Sequence, residues 1–296
     1  MSFMPSRNTT TAQYIDLTDD RDLSLSVVMP AHNEERTIRR AVTDVLGVDI
    51  GHRVELIVVD DGSSDGTPLA LSQLDDPRVV VHRHPTNLGK GAAVLSGAAL
   101  ATGSHLVVFD ADREYRANDL AIMFEPIVQR RAEVVFGTRM FGMNTVYHSY
   151  RYAVGNRMTT LAANLMYDAC LTDLHTCLKM MPLPLFRELQ LTHSGFGLDS
   201  EITAELLRRG HRPFEVPVSY VGRSHAQGKK LTWRDGVECL MVLGRVRLRG
   251  RTAAAGAPGA AAVAELVSDD DHAGRRPVGA GRSVERGFAG PVLPAP

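Results

Sequence analysis

The apolar positions in the first half of the chain fall into short runs separated by stretches of helical spacing. Residues 25–29 (Leu-Ser-Val-Val-Met), 54–59, 79–82 and 106–109 (Leu-Val-Val-Phe) are rich in β-formers and almost unbroken in hydrophobicity. That is the pattern of strands buried on both faces. After the first run, Ile38, Val42, Val45 and Leu46 recur every three to four residues, predicting a helix that Asn33 is placed to cap. Gly62-Ser63-Ser64-Asp65-Gly66-Thr67-Pro68 predicts a turn and a helix start with proline in its first turn, and residues 91–101 predict an Ala-rich helix. A further strand is expected at 133–137. Strands alternating with helices predict an α/β fold, a mostly parallel, Rossmann-like central sheet flanked by helices.

Two of these strands end in acids. Asp60 and Asp61 follow the second, and Asp110, Asp112 and Glu114 follow the fourth, while Asn33 and Glu34 lie just beyond the first. The carboxyl edge of an open α/β sheet is where such folds bind ligands. If the strand geometry continues past residue 109, Asp110, Asp112 and Glu114 converge, and three hard oxygen donors suit Mg²⁺ or Mn²⁺. A solvated acidic turn is the plain alternative, and the repetition on two strands favours a site. No Gly-x-Gly-x-x-Gly follows the first strand and no Gly-x-x-x-x-Gly-Lys-Ser/Thr occurs, which disfavours a dinucleotide cofactor and a P-loop nucleotidase. Gly89-Lys90-Gly91 reads equally as a flexible turn or a phosphate contact.

Composition changes the picture little. The net charge of -1 gives no basic excess for nucleic acid. Cys170, Cys177 and Cys239 match no metal spacing and read as reduced core thiols. The N-terminal residues lack the apolar core of a signal peptide, and no run approaches the ~18 apolar residues of a membrane span. A cytoplasmic protein is therefore expected, touching a membrane only from its surface. Residues 1–23 are unpatterned and residues 251–296 are rich in Ala, Gly and Pro, so both are expected to be disordered tails around one domain at 24–250. Residues 229–249 predict a helix with Leu231, Trp233, Val237, Leu240, Met241 and Leu243, flanked by Lys and Arg at both ends. It suits an anionic bilayer surface, or equally a helix packed on the sheet.

Val-Val-Met-Pro-Ala-His-Asn-Glu-Glu, Ile-Val-Val-Asp-Asp-Gly-Ser-Ser-Asp-Gly-Thr, Asn-Leu-Gly-Lys-Gly-Ala-Ala and Phe-Asp-Ala-Asp, in this order, resemble the motifs of family 2 glycosyltransferases with the GT-A fold. The resemblance implies a nucleotide-sugar donor, a divalent metal at the Asp-x-Asp motif and inversion at the anomeric carbon. It implies that Pro30, Ala31 and Glu34 line the nucleoside site and that Asp60 and Asp61 contact base or ribose. Lys90 and Asp110 then belong to the donor site, and Asp112 with Glu114 holds the metal. Later segments, among them Gly137-Thr138-Arg139, Leu171-Thr172-Asp173, Thr176-Cys177-Leu178-Lys179, 195–202 and Gly228-Lys229-Lys230, are similar to polyprenyl-phosphate sugar synthases of the dolichyl-phosphate-mannose synthase group. On that likeness residues 24–115 form the nucleotide-sugar half and 116–250 the acceptor half. Arg113 stands where an apolar residue is more usual.

The chemistry assigns roles within that frame. A departing diphosphate must be neutralised, by the metal at Asp112 and by fixed cations such as Arg139 and Lys229. A hydroxyl acceptor needs a base, for which Asp173 is the candidate, whereas a polyprenyl phosphate is already ionised and needs placement instead. The expected reaction is hexose transfer from a GDP-mannose or UDP-glucose type donor to a polyprenyl phosphate. The alternatives are a transferase acting on a saccharide hydroxyl and a non-catalytic nucleotide-sugar binding module.

Overall fold

The computed structural model describes residues 23–140, 145–146, 150–195, 197–222 and 233–249. The tails expected at 1–23 and 251–296 lie outside the described residues, except for buried Leu23, and so does Lys229. Strands β1 (Ser24–Ala31), β2 (Arg53–Asp60), β3 (Val79–Arg83) and β4 (His105–Val108) alternate with helices α1 (Ile38–Leu46), α2 (Thr67–Ser72) and α3 (Lys90–Leu100). The chain continues through α4 (Asp119–Val128), β5 (Val135–Thr138), β6 (Thr145–Val146), α5 (Tyr150–Tyr167), β7 (Lys179–Pro182), α6 (Leu183–Glu188), α7 (Leu198–Arg208), β8 (Phe214–Pro217), β9 (Tyr220–Val221) and α8 (Trp233–Leu248).

Seven strands form one sheet in the order β3-β2-β1-β4-β7-β5-β8. The β3-β2-β1-β4 half is wholly parallel, as the alternating pattern predicts. Strand β7 runs antiparallel between β4 and β5, which the sequence did not announce. Its four residues begin with Lys179 and carry no alternation; only partners more than forty residues away in sequence make them a strand.

The core explains the unbroken runs. Leu25, Val27 and Met29 pack with Leu56 and Val58 against Ile38, Val42 and Val45 of α1. The alternate residues Val28, Ile57 and Val59 pack on the other face against Ala93, Val94 and Ala98 of α3. A strand covered on both sides has no position free for a polar residue until it leaves the sheet. A third cluster joins α5, α7 and α8 through Ala163, Tyr167, Leu174, Ala204, Leu207, Val242, Leu243 and Val246.

One local expectation is corrected. Asn33 does not cap α1: the helix starts at Ile38 after Thr37, and Asn33 has a left-handed backbone (φ 57°). An N-cap residue sits in the extended region, so this conformation is incompatible with capping. The Asn33 Oδ1 instead accepts from the Ser64 amide at 2.9 Å, tying two loops together.

His105, the first residue of β4, is buried with its ring edge-on to Phe124 (centroids 6.0 Å apart). Burial pushes its pKa down from 6.5 to about 4, against a weaker opposing pull from Glu133. The unfolded chain therefore takes up a proton between those values that the folded chain refuses. Stability is flat above pH 6.5, falls as pH drops from there to about 4, by on the order of 3 kcal/mol for the full shift, and is flat again below. Urea titrations across this window should show a shallower slope for His105→Gln than for wild type; equal slopes would remove His105 as the cause.

Candidate active site

The carboxyl ends of β2, β1 and β4 lie side by side. Ala31 is in register with Asp60, and the Phe109 amide donates to the Val28 carbonyl at 2.9 Å. With neighbouring strands roughly 4.8 Å apart, Asp60 and Asp110 flank β1 on one edge at about 10 Å in the sheet direction. The loops after β1 and β2 are laced together. The Asn33 amide donates to Ser63 Oγ and the Glu34 amide to Thr67 Oγ1, each at 2.9 Å, and the Gly66 amide donates to Glu35 Oε2 at 2.8 Å. His32 Nδ1 donates to the Asp61 carbonyl at 2.8 Å. Pro30 and Ala31 end β1, and half-buried Glu34 accepts from the Thr37 hydroxyl.

The two acids after β2 turn inward. Asp60 is 1% exposed, accepts from the Ser63 amide at 3.0 Å and pairs with Arg83 Nε at 3.2 Å. Asp61 accepts from the Leu88 amide at 2.9 Å and the Gly89 amide at 2.8 Å, and also meets His84 Nδ1 at 2.8 Å. His84 Nε2 in turn lies 2.9 Å from Ser96 Oγ. This is the connectivity of a Ser-His-Asp triad, yet all three side chains are buried between α3 and the sheet, where a nucleophile meets no substrate. The trio's visible work is to hold residues 88–89 in place. Both Asp61 oxygens are thus already accepting from residues 88–89.

Gly89-Lys90-Gly91 is a close-packed start to α3. Gly89 has φ 97°, and a Cβ there would stand 2.5 Å from the Ser194 carbonyl oxygen; at Gly91 a Cβ would collide with the carbonyl of His193. The Gly91 amide donates to the Ser194 carbonyl at 2.7 Å. Lys90 thereby aims its ammonium at Asp110, 2.8 Å from Oδ1 and 2.9 Å from Oδ2.

Asp110, Asp112 and Glu114 do not converge in the manner expected. The strand ends at Val108, and Arg113 takes a left-handed backbone (φ 63°), so the alternation of an extended chain is lost. Asp112 Oδ1 accepts from the Glu114 amide at 3.0 Å, and Glu114 Oε2 accepts from the Tyr220 hydroxyl at 2.7 Å. Arg113 reaches Asp44 of α1 at 3.7 Å. Among the described residues no group of three His, Cys, Asp or Glu side chains is gathered as a metal site. Asp110 nonetheless already seats a cation, the Lys90 ammonium, across both its oxygens. A divalent ion shared with a substrate diphosphate takes only one or two protein carboxylates, so Asp110 and Asp112 fit that demand without Glu114.

Arg139 and Asp173 are brought together, but on each other. Arg139 Nε and Nη2 donate to Asp173 Oδ2 and Oδ1 at 2.6 and 2.7 Å, the Arg139 amide adds a third bond at 3.1 Å, and Asn156 Nδ2 a fourth at 2.8 Å. The guanidinium also lies over the Tyr220 ring, 4.9 Å from its centroid. Burial raises the Asp173 pKa, but Arg139 more than offsets it and holds the group at about 2. The Arg139 fork is thus closed on a carboxylate, and Asp173, named as a base only for a hydroxyl acceptor, is weak in that role.

Sequence reasoning missed Tyr220 and Lys179. Tyr220 touches Glu114 and Arg139 from more than eighty residues away, and no local pattern marks it. Lys179 is 1% exposed in β7, where its ammonium donates to the Asp199 carbonyl at 2.7 Å. Its position in Thr-Cys-Leu-Lys was the available signal.

Removing one partner of the Arg139–Asp173 pair leaves a buried charge unmatched. Arg139→Ala should lower unfolding free energy by about 3 to 5 kcal/mol, with partial recovery in Arg139→Ala/Asp173→Asn. A loss under about 1 kcal/mol in urea titration, the size expected of an exposed pair, would contradict this assignment.

The chain is similar to proteins that point the same way. Residues 26–189 match the family model for glycosyl transferase family 2. Glycosyltransferase AglJ of Haloferax volcanii is 26% identical over 215 residues, 72% of this chain and 68% of that protein. A UDP-N-acetylglucosamine–dolichyl-phosphate N-acetylglucosaminyltransferase of Methanococcus voltae is 29% identical over 40% of this chain and 53% of its own length. Among solved structures, glucosyl-3-phosphoglycerate synthase from Mycobacterium tuberculosis, in complex with Mn²⁺, uridine diphosphate and phosphoglyceric acid, superposes with a TM-score of 0.58 at 19% identity, covering 76% of this chain and 79% of that one. The carboxyl-edge site and the family match agree: this chain belongs to glycosyl transferase family 2, a glycosyltransferase of the GT-A fold that uses a nucleotide sugar.

Proposed function

We propose that the protein transfers a hexose from a nucleotide sugar to a polyprenyl phosphate at a membrane surface, with inversion at the anomeric carbon. The observation that carries this reading is a cleft of about 300 Å³ whose lining mixes Arg157, Thr160, Asn164 and Thr172 with Met140, Leu161 and Leu171. A cation among apolar side chains suits a phosphate joined to a hydrocarbon chain. The cleft borders Thr172, next to the Arg139–Asp173 pair.

The state of Asp173 supports a phosphate over a hydroxyl acceptor. A lipid monophosphate, with a second pKa of about 6, attacks without giving up a proton to the enzyme. Held at about 2 and bonded to Arg139 and Asn156, Asp173 is suited to holding the frame beside the cleft rather than to base catalysis. On the donor side Asp110 and Asp112 would hold a divalent ion, Mg²⁺ or Mn²⁺, which when bound supplies charge neutralisation for the leaving diphosphate. Lys90, at the start of α3, adds a cation on the same edge.

The surface supports membrane contact. On α5, Met158, Leu161 and Leu165 form an exposed row at helical spacing, and on α8, Val237, Leu240, Met241 and Leu248 form another. The two helices pack together, the Tyr167 hydroxyl donating to the Leu243 carbonyl at 2.7 Å. Exposed Arg157, Arg245 and Arg247 sit on the same pair, which suits an anionic bilayer. No helix among the described residues is long and apolar enough to cross a membrane, so the contact proposed is peripheral.

A donor-by-acceptor screen with radiolabelled UDP- and GDP-sugars tests the reaction. Label extracted into organic solvent only when polyprenyl phosphate is present supports it; label appearing only on a water-soluble saccharide overturns it. Asp112→Asn should remove metal-dependent turnover, and unchanged turnover in excess Mg²⁺ would count against Asp112. Wild-type protein should float with anionic liposomes in a salt-sensitive manner, and Leu161→Glu/Leu165→Glu should reduce recovery. Equal recovery of wild type on neutral and anionic vesicles would show that the two rows serve another purpose.

A further inference from the structure

Four side chains of alternating sign lead from the core to the donor edge: Lys179, Asp199, Lys90 and Asp110. Lys179 Nζ donates to the Asp199 carbonyl at 2.7 Å and lies 3.6 Å from Asp199 Oδ1. The other carboxylate oxygen, Asp199 Oδ2, is 3.8 Å from Lys90 Nζ. Lys90 Nζ is itself 2.8 and 2.9 Å from the two oxygens of Asp110. The ammonium thus stands between two carboxylates, seated on one and about an ångström short of contact with the other.

Resting on the donor-site reading above, we propose that Asp199 is the second seat for the Lys90 ammonium, and so a positioning residue that sets how readily Asp110 accepts a divalent cation. A divalent ion on Asp110 would stand against an ammonium under 3 Å from the same oxygens, a repulsion of several kcal/mol at an effective dielectric near 20. The lysine must then yield, and a largely buried ammonium that yields needs another anion. Only the side chain is free to move. The backbone at residue 90 is pinned by the Gly89 amide on Asp61 Oδ2 at 2.8 Å and by the Gly91 amide on the Ser194 carbonyl at 2.7 Å. Asp199 is pinned too. It lies in the first turn of α7, with Lys179 on its carbonyl, and Glu201 two residues on takes the Thr192 and His193 amides at 2.8 and 2.9 Å. The Lys179 charge keeps Asp199 ionised: burial raises its pKa, and Lys179 and Lys90 more than reverse the effect. A buried lysine in a central strand is costly, and holding this second seat in place gives it a use beyond packing.

The test is Mn²⁺ binding to the full chain, followed by the electron paramagnetic resonance signal of free Mn²⁺, with and without UDP. Asp199→Asn should weaken Mn²⁺ binding at least about fivefold, the lower end of usual coupling between two sites. Without nucleotide, Lys90→Met should tighten Mn²⁺ binding and abolish the effect of Asp199→Asn when the two are combined. A purely structural Asp199 would not lose its influence when Lys90 is removed. Wild type that binds Mn²⁺ while Asp199→Asn binds within twofold of it overturns this inference alone, as does an Asp199→Asn effect that persists in the Lys90→Met background. Wild type that binds no Mn²⁺ even with UDP overturns the donor reading and this inference with it. If Asp199→Asn does not fold, Lys90→Met alone decides, since unchanged Mn²⁺ affinity in that variant removes the competition on which the proposal depends.

Discussion

The site depends on β1 being buried on both faces. Its odd-numbered residues close one apolar layer with α1 and its even-numbered residue Val28 closes the other with α3. A one-residue slip against β2 or β4 would exchange those layers, so the register is held by hydrophobic burial. That same register sets Ala31 beside Asp60 and Val28 beside Val108, so two acid-bearing loops emerge on one edge. The chemistry follows from a packing constraint made elsewhere.

Several polar groups at this edge hold the frame. Asp61, His84 and Ser96 hold the frame, fixing residues 88–89 from below. Arg139 and Asp173 do the same beyond β5, with Tyr220 stacked on the guanidinium and bonded to Glu114. Asp110, Asp112 and Lys90 are the residues proposed to meet the donor. Asp60 with Arg83, Asp173 with Arg139 and Lys179 with Asp199 each have the opposite sign within 4 Å, as the cost of burying an isolated ion requires.

The apolar surface and the donor loop share one mechanical frame. Arg249, following α8, donates to the Gln190 carbonyl at 3.0 Å and pairs with Glu205 and Glu201 of α7 at 3.2 and 3.3 Å. Glu201 holds the Thr192 and His193 amides, and the next residue, Ser194, holds the Gly91 amide. The helix that presents Val237, Leu240 and Met241 outward is therefore joined through one short loop to the residue that aims Lys90.

The sequence by itself determined the parallel half of the sheet, its flanking helices and the acid-bearing edge, because a strand buried on both faces leaves an unbroken apolar run and must end where polar residues begin. It also determined the family, through motifs confined to adjacent loops of that half. The tertiary structure alone decided which partner each charge takes. Arg139 closes on Asp173, Glu114 turns to Tyr220, Asp61 turns under residues 88–89, and Asn33 bridges two loops instead of capping α1. It alone decided that β7 runs antiparallel, since four residues led by a buried lysine have no period to read. Periodicity reports which face of an element is buried; it says nothing of which of several nearby counter-charges a long side chain reaches, because that is settled by distances between segments far apart in the chain.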